Sequence, residues 1–274
     1  MPSRPPSRKP APASENKPAP KSEGAAPKPL AGKTALVTGG AVRVGRAIAL
    51  ALGAAGARVA VHHHKSRPAA ERLVAQMHAR GMDAESFSAD LGSLDGPGHL
   101  VARVERWAQG LDLLVNNAAV FQQTPFEQVT PESLEGLWNL NFRGPFLLCQ
   151  AATPALRRHK GAIVNILDVA AYHAWRGYSH YCPTKAALAM LTRNLAIELA
   201  PDVRVCGVAP GTVLFPEDFD EATKDRVVSR IPLAREGRPE DVADAVLYLA
   251  TAAYVTGAVL PVDGGRMAGS RDPL

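Results

Sequence analysis

Tyr181 and Lys185 carry the clearest chemistry in the sequence, four residues apart in the stretch YCPTK. The residues that follow Tyr181 have a helix-like pattern, and this spacing places both side chains on one face of a helix. An ammonium group beside a phenol favours the phenolate and lowers the tyrosine pKa. The pair therefore predicts a tyrosine that exchanges a proton with a bound substrate near neutral pH.

Asp168 lies 13 residues before Tyr181, where the apolar strand-like run AIVNIL ends. The end of a strand is a common position for a residue that faces a bound ligand in an open α/β sheet. We predict that the Asp168 carboxyl group acts with Tyr181 on the substrate. The alternative is a structural role as a helix cap or turn residue.

A glycine-rich segment, TGGAVRVG, separates the first strand-like run from the first helix, which is predicted over residues 46–57. Its glycines Gly39, Gly40 and Gly45 would let backbone N–H groups at a helix N-terminus approach a pyrophosphate. Many helices begin after a glycine, so the informative feature is the position at the first strand–helix junction. The segment predicts a dinucleotide site, and a tight structural turn is the alternative.

The second strand-like run ends in HHHKS (62–66), without an acid. An NAD-binding domain usually has Asp or Glu here to hold the ribose 2′-hydroxyl. The cations of Lys65 and of Arg43 in the glycine loop, with the Ser66 hydroxyl, suit a 2′-phosphate instead. We therefore predict NADPH as the cofactor. No metal site is predicted, because adjacent strand residues point to opposite faces and three consecutive histidines cannot all bind one ion.

These groups must be positioned by short apolar strands that alternate with helices from residue 33 to residue 265. Nearly continuous apolar runs are typical of a sheet covered by helices on both faces, and this alternation indicates βαβ units. The predicted fold class is α/β, with a single Rossmann-type, doubly wound parallel sheet and helices on both faces. One long helix is predicted near residues 131–159.

Composition limits the remaining possibilities. Residues 1–31 are rich in Pro, Ala and Lys and have almost no large apolar side chain, so they predict a disordered tail before a domain of residues 32–274. A partner-binding or organelle-targeting segment is the alternative for this tail. The formal net charge is +5, but residues 1–32 contain six Lys or Arg and two acids, a net charge of +4. The domain is therefore not basic enough to predict a nucleic-acid partner.

Cys149, Cys182 and Cys206 are scattered and form no disulfide pattern. They favour a reducing compartment, so the predicted location is cytoplasmic. No apolar run approaches the roughly 20 residues of a membrane helix, so no membrane segment is predicted.

Taken in order, these motifs make residues 33–265 resemble the short-chain dehydrogenase/reductase family. The matching residues are Thr38-Gly39 with Gly45, Asp90-Leu91, Asn116-Asn117-Ala118-Ala119, Asn141, Tyr181 with Lys185, Pro210-Gly211 and the stretch YVTGAVLPVDGG near the end. The resemblance implies that Tyr181 is the proton donor, that Lys185 binds the nicotinamide ribose, and that Asn141 holds a proton-relay water. It also implies a homotetramer.

The same resemblance implies the cofactor contacts. Asp90-Leu91 would flank the adenine, and Asn117-Ala118 would line the cofactor floor. The full set of predicted cofactor residues comprises Gly39, Arg43, Val44, Gly45, His64, Lys65, Ser66, Asp90, Leu91, Asn117, Ala118, Tyr181, Lys185, Pro210 and Gly211.

Two positions depart from the general pattern of that family. Arg43 replaces the middle glycine of its TGxxxGxG motif, and Asp168 replaces its catalytic serine. Both departures resemble the pteridine reductase branch, as do HHHKS and the segment NNAAVFQQTPF, which contains Phe121. The resemblance assigns Arg43, Phe121, Asp168 and Tyr181 to the substrate, with Phe121 stacked on a pterin; a core position is the alternative for Phe121. Three further aromatic residues line either the pocket, the core or an interface: Tyr172, Trp175 and Tyr178.

The predicted function is NADPH-dependent reduction of a pterin at a ring C=N bond. The substrate would be of the dihydrobiopterin, dihydromonapterin or dihydrofolate type, and a loop at about residues 212–235 would cover it. One alternative is a reductase of a ketone or 3-oxoacyl thioester, which a protonated Asp168 would allow. The other alternative is a non-catalytic NADPH-binding scaffold.

Overall fold

Short runs of apolar residues form one parallel sheet in the computed structural model, which describes Met1, residues 28–215 and residues 219–269. The strand order is β3-β2-β1-β4-β5-β6-β7. The strands are β1 (Thr34–Val37), β2 (Arg58–His63), β3 (Ala84–Ser88), β4 (Leu113–Asn116), β5 (Ala162–Ile166), β6 (Arg204–Pro210) and β7 (Val259–Val262).

Helices connect successive strands and cover both faces of the sheet. They are α1 (Arg43–Ala54), α2 (Arg67–Ala79), α3 (Gly96–Ala108), α4 (Pro131–Trp138), α5 (Gly144–His159), α6 (Cys182–Glu198), α7 (Glu221–Ser229) and α8 (Pro239–Thr251). On one face Leu52 of α1 packs in a buried cluster with Val246 of α8, and on the other Leu100 of α3 packs with Leu148 of α5. The predicted fold class is therefore confirmed.

The strand order places the ligand site. The chain winds outward from β1 to β3 and then crosses back to β4, which pairs with β1 on its other side. Ligands of such sheets bind outside the carboxyl ends of the strands at this change of direction. The glycine-rich segment after β1 and the Asn-Asn segment after β4 both end there.

The predicted single helix over residues 131–159 is interrupted. Between α4 and α5 the backbone forms a π-helical segment, Asn139–Arg143. Pro145 lies in the first turn of α5 and has no N–H to donate to the carbonyl of Asn141, four residues earlier, so regular α-helical bonding cannot continue across it. The interruption turns the Asn141 side chain into the interior, where it is fully buried.

The predicted boundaries need two further corrections. Most of the predicted tail of residues 1–31 lies outside the described residues, but Leu30 is buried and its N–H bonds the carbonyl of Ala55 at 2.9 Å. The packed domain thus begins before residue 32. Helix α1 begins at Arg43 rather than at residue 46, which places the arginine on the helix and not in a loop.

No helix within the described ranges is long and apolar enough to cross a membrane.

Candidate active site

Asp168 and Tyr181 are joined by a direct hydrogen bond. Asp168 follows β5 and precedes a short 3₁₀ turn, Val169–Ala171, whose Ala170 N–H donates to its Oδ1 at 2.8 Å. Its Oδ2 accepts the Tyr181 hydroxyl, also at 2.8 Å. One carboxyl group therefore serves both roles considered for it, since one oxygen caps the turn and the other holds the tyrosine.

The pKa of Tyr181 moves opposite to the sequence prediction. Burial is the largest cause, followed by the charge and hydrogen bond of Asp168, and together they raise the pKa of Tyr181 well above its usual value. The Lys185 ammonium donates instead to the carbonyl of Ile166 at 3.0 Å. The prediction that Lys185 lowers the tyrosine pKa is therefore wrong for this state of the protein, and Tyr181 is protonated at neutral pH.

Burial also shifts the two charged neighbours of Tyr181. It raises the pKa of Asp168, and this effect exceeds the opposing hydrogen bonds from Ala170 and Tyr181 and the charges of Lys185 and Arg266. Burial lowers the pKa of Lys185 to about 8, with the Asp168 carboxylate opposing the shift. Both groups are thus closer to their neutral forms than exposed groups of the same type.

The glycine-rich turn after β1 packs too closely for side chains at two positions. Gly39 has a φ of 60°, and a Cβ on Gly45 would overlap the carbonyl oxygen of Gly39 and lie 2.6 Å from Nδ2 of Asn117. Asn117 holds the turn from the β4 side, because its Nδ2 donates to the carbonyl of Thr38 at 2.8 Å. Arg43 adopts a left-handed φ of 51° at the start of α1. The turn exposes backbone at a helix N-terminus, which suits a phosphate group.

His62 is a positioning residue that the sequence did not single out. Burial lowers the pKa of its imidazole to about 4, so the ring is neutral. Its Nδ1 accepts the Gly39 N–H at 3.0 Å, and its Nε2 lies 3.2 Å from the carbonyl of Ala89. The ring therefore links the glycine turn to the loop after β3. The sequence indicates this role only through the alternation of side chains along β2, which points His62 and its neighbour His63 to opposite faces of the sheet.

Most of the predicted cofactor residues converge on one cavity of about 650 Å³, here called the nucleotide cavity. Arg43, Lys65 and Ser66 all line it, and His64 lies 3.5 Å from the carboxylate of Asp90. The predicted residues that line it are Gly39, Arg43, Val44, Gly45, His64, Lys65, Ser66, Asp90, Leu91, Asn117 and Ala118. Tyr181 and Gly211 line a different cavity, and neither cavity is lined by Lys185 or Pro210.

Asn141 is engaged by protein groups. Its Oδ1 accepts the Val120 N–H, and its Nδ2 donates to the carbonyl of Val120, both at 2.9 Å. The same Nδ2 lies 3.3 Å from the Thr184 hydroxyl of α6. The side chain thus ties the loop after β4 to α6, and its role in holding a water stays a prediction.

The predicted substrate residues Arg43, Phe121, Asp168 and Tyr181 all line a second cavity of about 540 Å³, here called the substrate cavity. Arg43 also lines the nucleotide cavity, so the two cavities meet at this residue. The substrate cavity is the place where a group reduced by a bound dinucleotide would contact the Tyr181 hydroxyl.

Phe121 is an exposed aromatic wall of this cavity and not a core residue. Its side chain is 47% exposed. Its ring stacks on Tyr178 at a centroid distance of 4.8 Å and meets Tyr181 edge-on at 5.0 Å. Trp175 and Tyr178 also line the cavity, whereas Tyr172 does not. The rings form an aromatic cluster beside the Asp168–Tyr181 pair, in which Phe121 stacks on Tyr178 and the other contacts are edge-on.

Sequence reasoning missed three arginines that line the substrate cavity: Arg226 in α7, Arg230 directly after α7, and Arg266 after β7. They fall in segments without a recognisable motif, and only Arg266 follows a motif stretch directly. Phe215 and Phe219 also line the cavity, so the predicted substrate loop of residues 212–235 contributes several wall residues. Within the described ranges, no group of three or more His, Cys, Asp or Glu is placed to hold a metal ion.

Comparisons with known proteins agree on the general type of enzyme. The family model described as enoyl-(acyl carrier protein) reductase matches residues 40–266. The chain is 34% identical over 239 residues to the 3-oxoacyl-[acyl-carrier-protein] reductase FabG of Staphylococcus aureus, covering 85% of this chain and 97% of the relative. It is also 34% identical over 247 residues to L-rhamnose 1-dehydrogenase (NAD(P)(+)) of a Sphingomonas species, covering 87% and 97%.

Among solved structures, a short-chain dehydrogenase from Burkholderia cenocepacia in complex with NADP matches with a TM-score of 0.82 and 34% identity, covering 86% of this chain and 98% of that one. A blue fluorescent protein from a metagenomic library, in complex with NADPH, has the same TM-score and coverage at 33% identity. None of the relatives named here is a pteridine reductase. Their names agree better with the alternative prediction, a 3-oxoacyl thioester reductase, than with a pterin substrate.

Proposed function

We propose that this chain, which belongs to the short-chain dehydrogenase/reductase family, reduces the ring of a pterin. Its general reaction type is that of an NADP-dependent oxidoreductase, and the pterin substrate is the finer proposal. The observation that carries the finer proposal is the 2.8 Å hydrogen bond between Tyr181 and Asp168 at the edge of a cavity walled by the exposed ring of Phe121.

The cofactor is NADPH, and the residues of the nucleotide cavity fit it. The turn with Gly39 and Gly45 lines this cavity at a helix N-terminus, which suits a pyrophosphate. Lys65, Ser66 and Arg43 are suited to a 2′-phosphate. When bound, the cofactor supplies the hydride. Relatives of solved structure that bind NADP or NADPH support this assignment.

In this proposal Tyr181 donates the proton, because burial and Asp168 keep its hydroxyl protonated at neutral pH. Phe121 holds the flat ring by stacking, which contributes about 0.5–1.5 kcal/mol beyond the area it buries. Asp168 accepts hydrogen bonds from N–H groups of the nitrogen-rich ring and orients them. An ionised carboxylate would instead repel the negative charge that develops on a carbonyl oxygen during reduction.

Reduction of a ketone or 3-oxoacyl thioester is the second candidate. The names of the curated relatives favour it. The raised pKa of Asp168 also favours it, since a protonated carboxyl group can donate to a carbonyl oxygen as a serine does.

The experiment that separates the candidates is NADPH oxidation by the full chain with dihydrobiopterin, dihydrofolate and an acetoacetyl thioester. We expect turnover of at least one pterin with a higher kcat/KM than that of the thioester. Turnover of the thioester alone would establish the second candidate. NADPH binding without turnover of any of the three would indicate a non-catalytic scaffold.

A further inference from the structure

The substrate cavity carries more positive charge than reduction of a neutral ring requires. Four guanidinium groups line it, and Asp168 is the one carboxyl group among the described lining residues. The four are Arg43, Arg226, Arg230 and Arg266. Within the described part of the chain, none of them lies within salt-bridge distance of an acid.

Two of these arginines have contacts that hold them near the reacting groups. Arg266 donates to the Thr212 hydroxyl at 3.0 Å, and its guanidinium lies 5.1 Å from the centre of the Trp175 ring. Arg43 lies 3.4 Å from the carbonyl of Leu214. Arg43 therefore lies where the two cavities meet, and Arg266 lies beside the aromatic cluster.

The other two lie at the end of α7: Arg226 is in its last turn, and Arg230 directly follows its last residue, Ser229. Both line the substrate cavity. The acids at the start of α7 form their direct contacts with other groups: Asp220 accepts the Thr223 N–H at 2.8 Å, and Glu221 pairs with Lys224. The Arg226 charge acts on Asp220 without a salt bridge between them. Two guanidinium groups at the cavity wall that form no salt bridge with any other described residue are suited to bind an anion.

We propose that Arg226 and Arg230, together with Arg266, bind an anionic group of the substrate, so that the preferred substrate carries a carboxylate or phosphate beyond the part that is reduced. This inference rests on the proposed function only in placing the reducible group beside Tyr181. Guanidinium groups bind both anions through paired N–H donors. The anion would come from the amino-acid carboxylates of a folate-type pterin or from the phosphates of an acyl thioester carrier.

The test compares matched substrates with and without the anion. The pterin pair is dihydrofolate and dihydrobiopterin, and the thioester pair is acetoacetyl-coenzyme A and the acetoacetyl thioester of N-acetylcysteamine. We expect R226Q/R230Q to lower the ratio of kcat/KM for the anionic over the neutral member by at least about tenfold, as loss of a charge-assisted hydrogen bond does. The pair that shows this fall identifies the source of the anion.

The control is R106Q/R157Q, which removes two exposed arginines that line neither cavity. Its ratio should match that of the wild-type chain. Because added salt screens exposed charges, the wild-type preference for the anionic member should also fall as ionic strength rises.

Calorimetry makes the result independent of turnover. Folic acid and biopterin are titrated into the wild type and R226Q/R230Q in the presence of NADP⁺, and the variant should lose the tighter binding of folic acid. If neither substrate pair nor this pair of ligands shows a change of ratio, the anion subsite is overturned. A changed ratio for the thioester pair alone would overturn the pterin proposal and keep the subsite.

The experiment uses the full chain, so Glu217 and Asp218, which lie outside the described residues, are present. If they neutralised the arginines, the ratio would not change, and the proposal would fail.

Discussion

At the scale of single residues, the functional feature of this chain is a carboxyl group bonded to a buried tyrosine. Asp168 raises the pKa of Tyr181 by its charge and its hydrogen bond, while burial raises the pKa of Asp168 itself. The Tyr181 hydrogen bond in turn lowers the pKa of Asp168 against this larger effect of burial, so the two titrations are coupled. An ionised Asp168 favours a substrate that donates hydrogen bonds to it, and a protonated Asp168 favours one that accepts them.

Asp168→Ser should lower kcat/KM for the pterin by about 100-fold, because one preorganised partner of the reacting ring is lost. NADPH binding should change little, since Asp168 does not line the nucleotide cavity. Steady-state kinetics and NADPH fluorescence titration measure the two effects. Asp202→Ser, at an exposed turn, is the matched control. Unchanged pterin activity in Asp168→Ser would refute the role of this carboxylate.

Asp168→Asn should move the basic limb of the kcat/KM profile to lower pH. The Asp168 charge raises the pKa of Tyr181 and also that of Lys185, so its removal lowers both, and each group then loses its proton earlier as pH rises. The measurement is kcat/KM against pH for the wild type and the variant. A basic limb that stays in place or moves to higher pH would contradict the coupling of these groups.

Lys65→Asp should shift the cofactor preference from NADPH towards NADH. It replaces a cation of the nucleotide cavity by an anion that repels a 2′-phosphate, and we expect the ratio of kcat/KM for the two cofactors to change by about 100-fold. Arg72→Asp, on the exposed surface of α2, makes the same charge change away from the cavity. Equal preferences in the two variants would discredit the phosphate assignment of Lys65.

At the scale of elements, hydrogen bonds from β2 and from the segment after β4 hold the turn between β1 and α1. His62 of β2 accepts the Gly39 N–H, Asn117 donates to the carbonyl of Thr38, and α1 begins with Arg43 in a left-handed conformation. The π-helical segment between α4 and α5 holds the loop after β4, because its Asn141 side chain bonds both the N–H and the carbonyl of Val120. The nucleotide cavity is thus bounded by segments that polar side chains hold in place.

Gly45→Ala should destabilise the turn and weaken NADPH binding together. The added Cβ would overlap the Gly39 carbonyl oxygen, which is backbone and cannot rotate away. We expect the free energy of unfolding to fall by about 1–3 kcal/mol, as in other overpacked positions. Gly98→Ala in α3, where a Cβ would meet no atom within 4 Å, should be neutral or stabilising. Denaturant unfolding and NADPH titration compare the two variants, and an equal response would contradict the close packing of the turn.

At the scale of the whole molecule, the surface bears apolar side chains that the single chain leaves uncovered. Leu134 and Trp138 of α4 and Phe146 of α5 are 46%, 39% and 42% exposed, and Phe142 packs between the last two. Contiguous apolar patches of this kind mark association surfaces. They support the homotetramer that remains a proposal.

Trp138→Glu should reduce the molar mass of the particle in solution, because a charge would be buried in the interface. Light scattering coupled to size-exclusion chromatography measures the mass. Leu94→Glu replaces a 68% exposed leucine in the loop before α3 and should leave the assembly unchanged. A wild-type chain that is monomeric would refute the tetramer, and an intact tetramer in Trp138→Glu would exclude this surface as an interface.

The sequence by itself determined the fold class, because uninterrupted apolar strands that alternate with helices have few stable arrangements other than a covered parallel sheet. Local patterns also located the glycine turn and the end of the second strand, and the resemblance to the short-chain dehydrogenase/reductase family supplied Asp90, Leu91, Asn117 and Ala118. The spacing of Tyr181, Lys185 and Asp168 was enough to predict that they act together.

Only the tertiary structure decided how these groups behave. The pKa of Tyr181 is raised because the surrounding elements bury its side chain and because the Asp168 carboxyl group is its hydrogen-bond partner. The Lys185 amine donates to the carbonyl of Ile166 rather than to the phenol. Arg226 and Arg230 line the same cavity as Arg266, although both lie more than 30 residues before it in the chain. The spacing of residues along the chain does not predict that these arginines lie at one cavity, because the packing of distant elements brings them together.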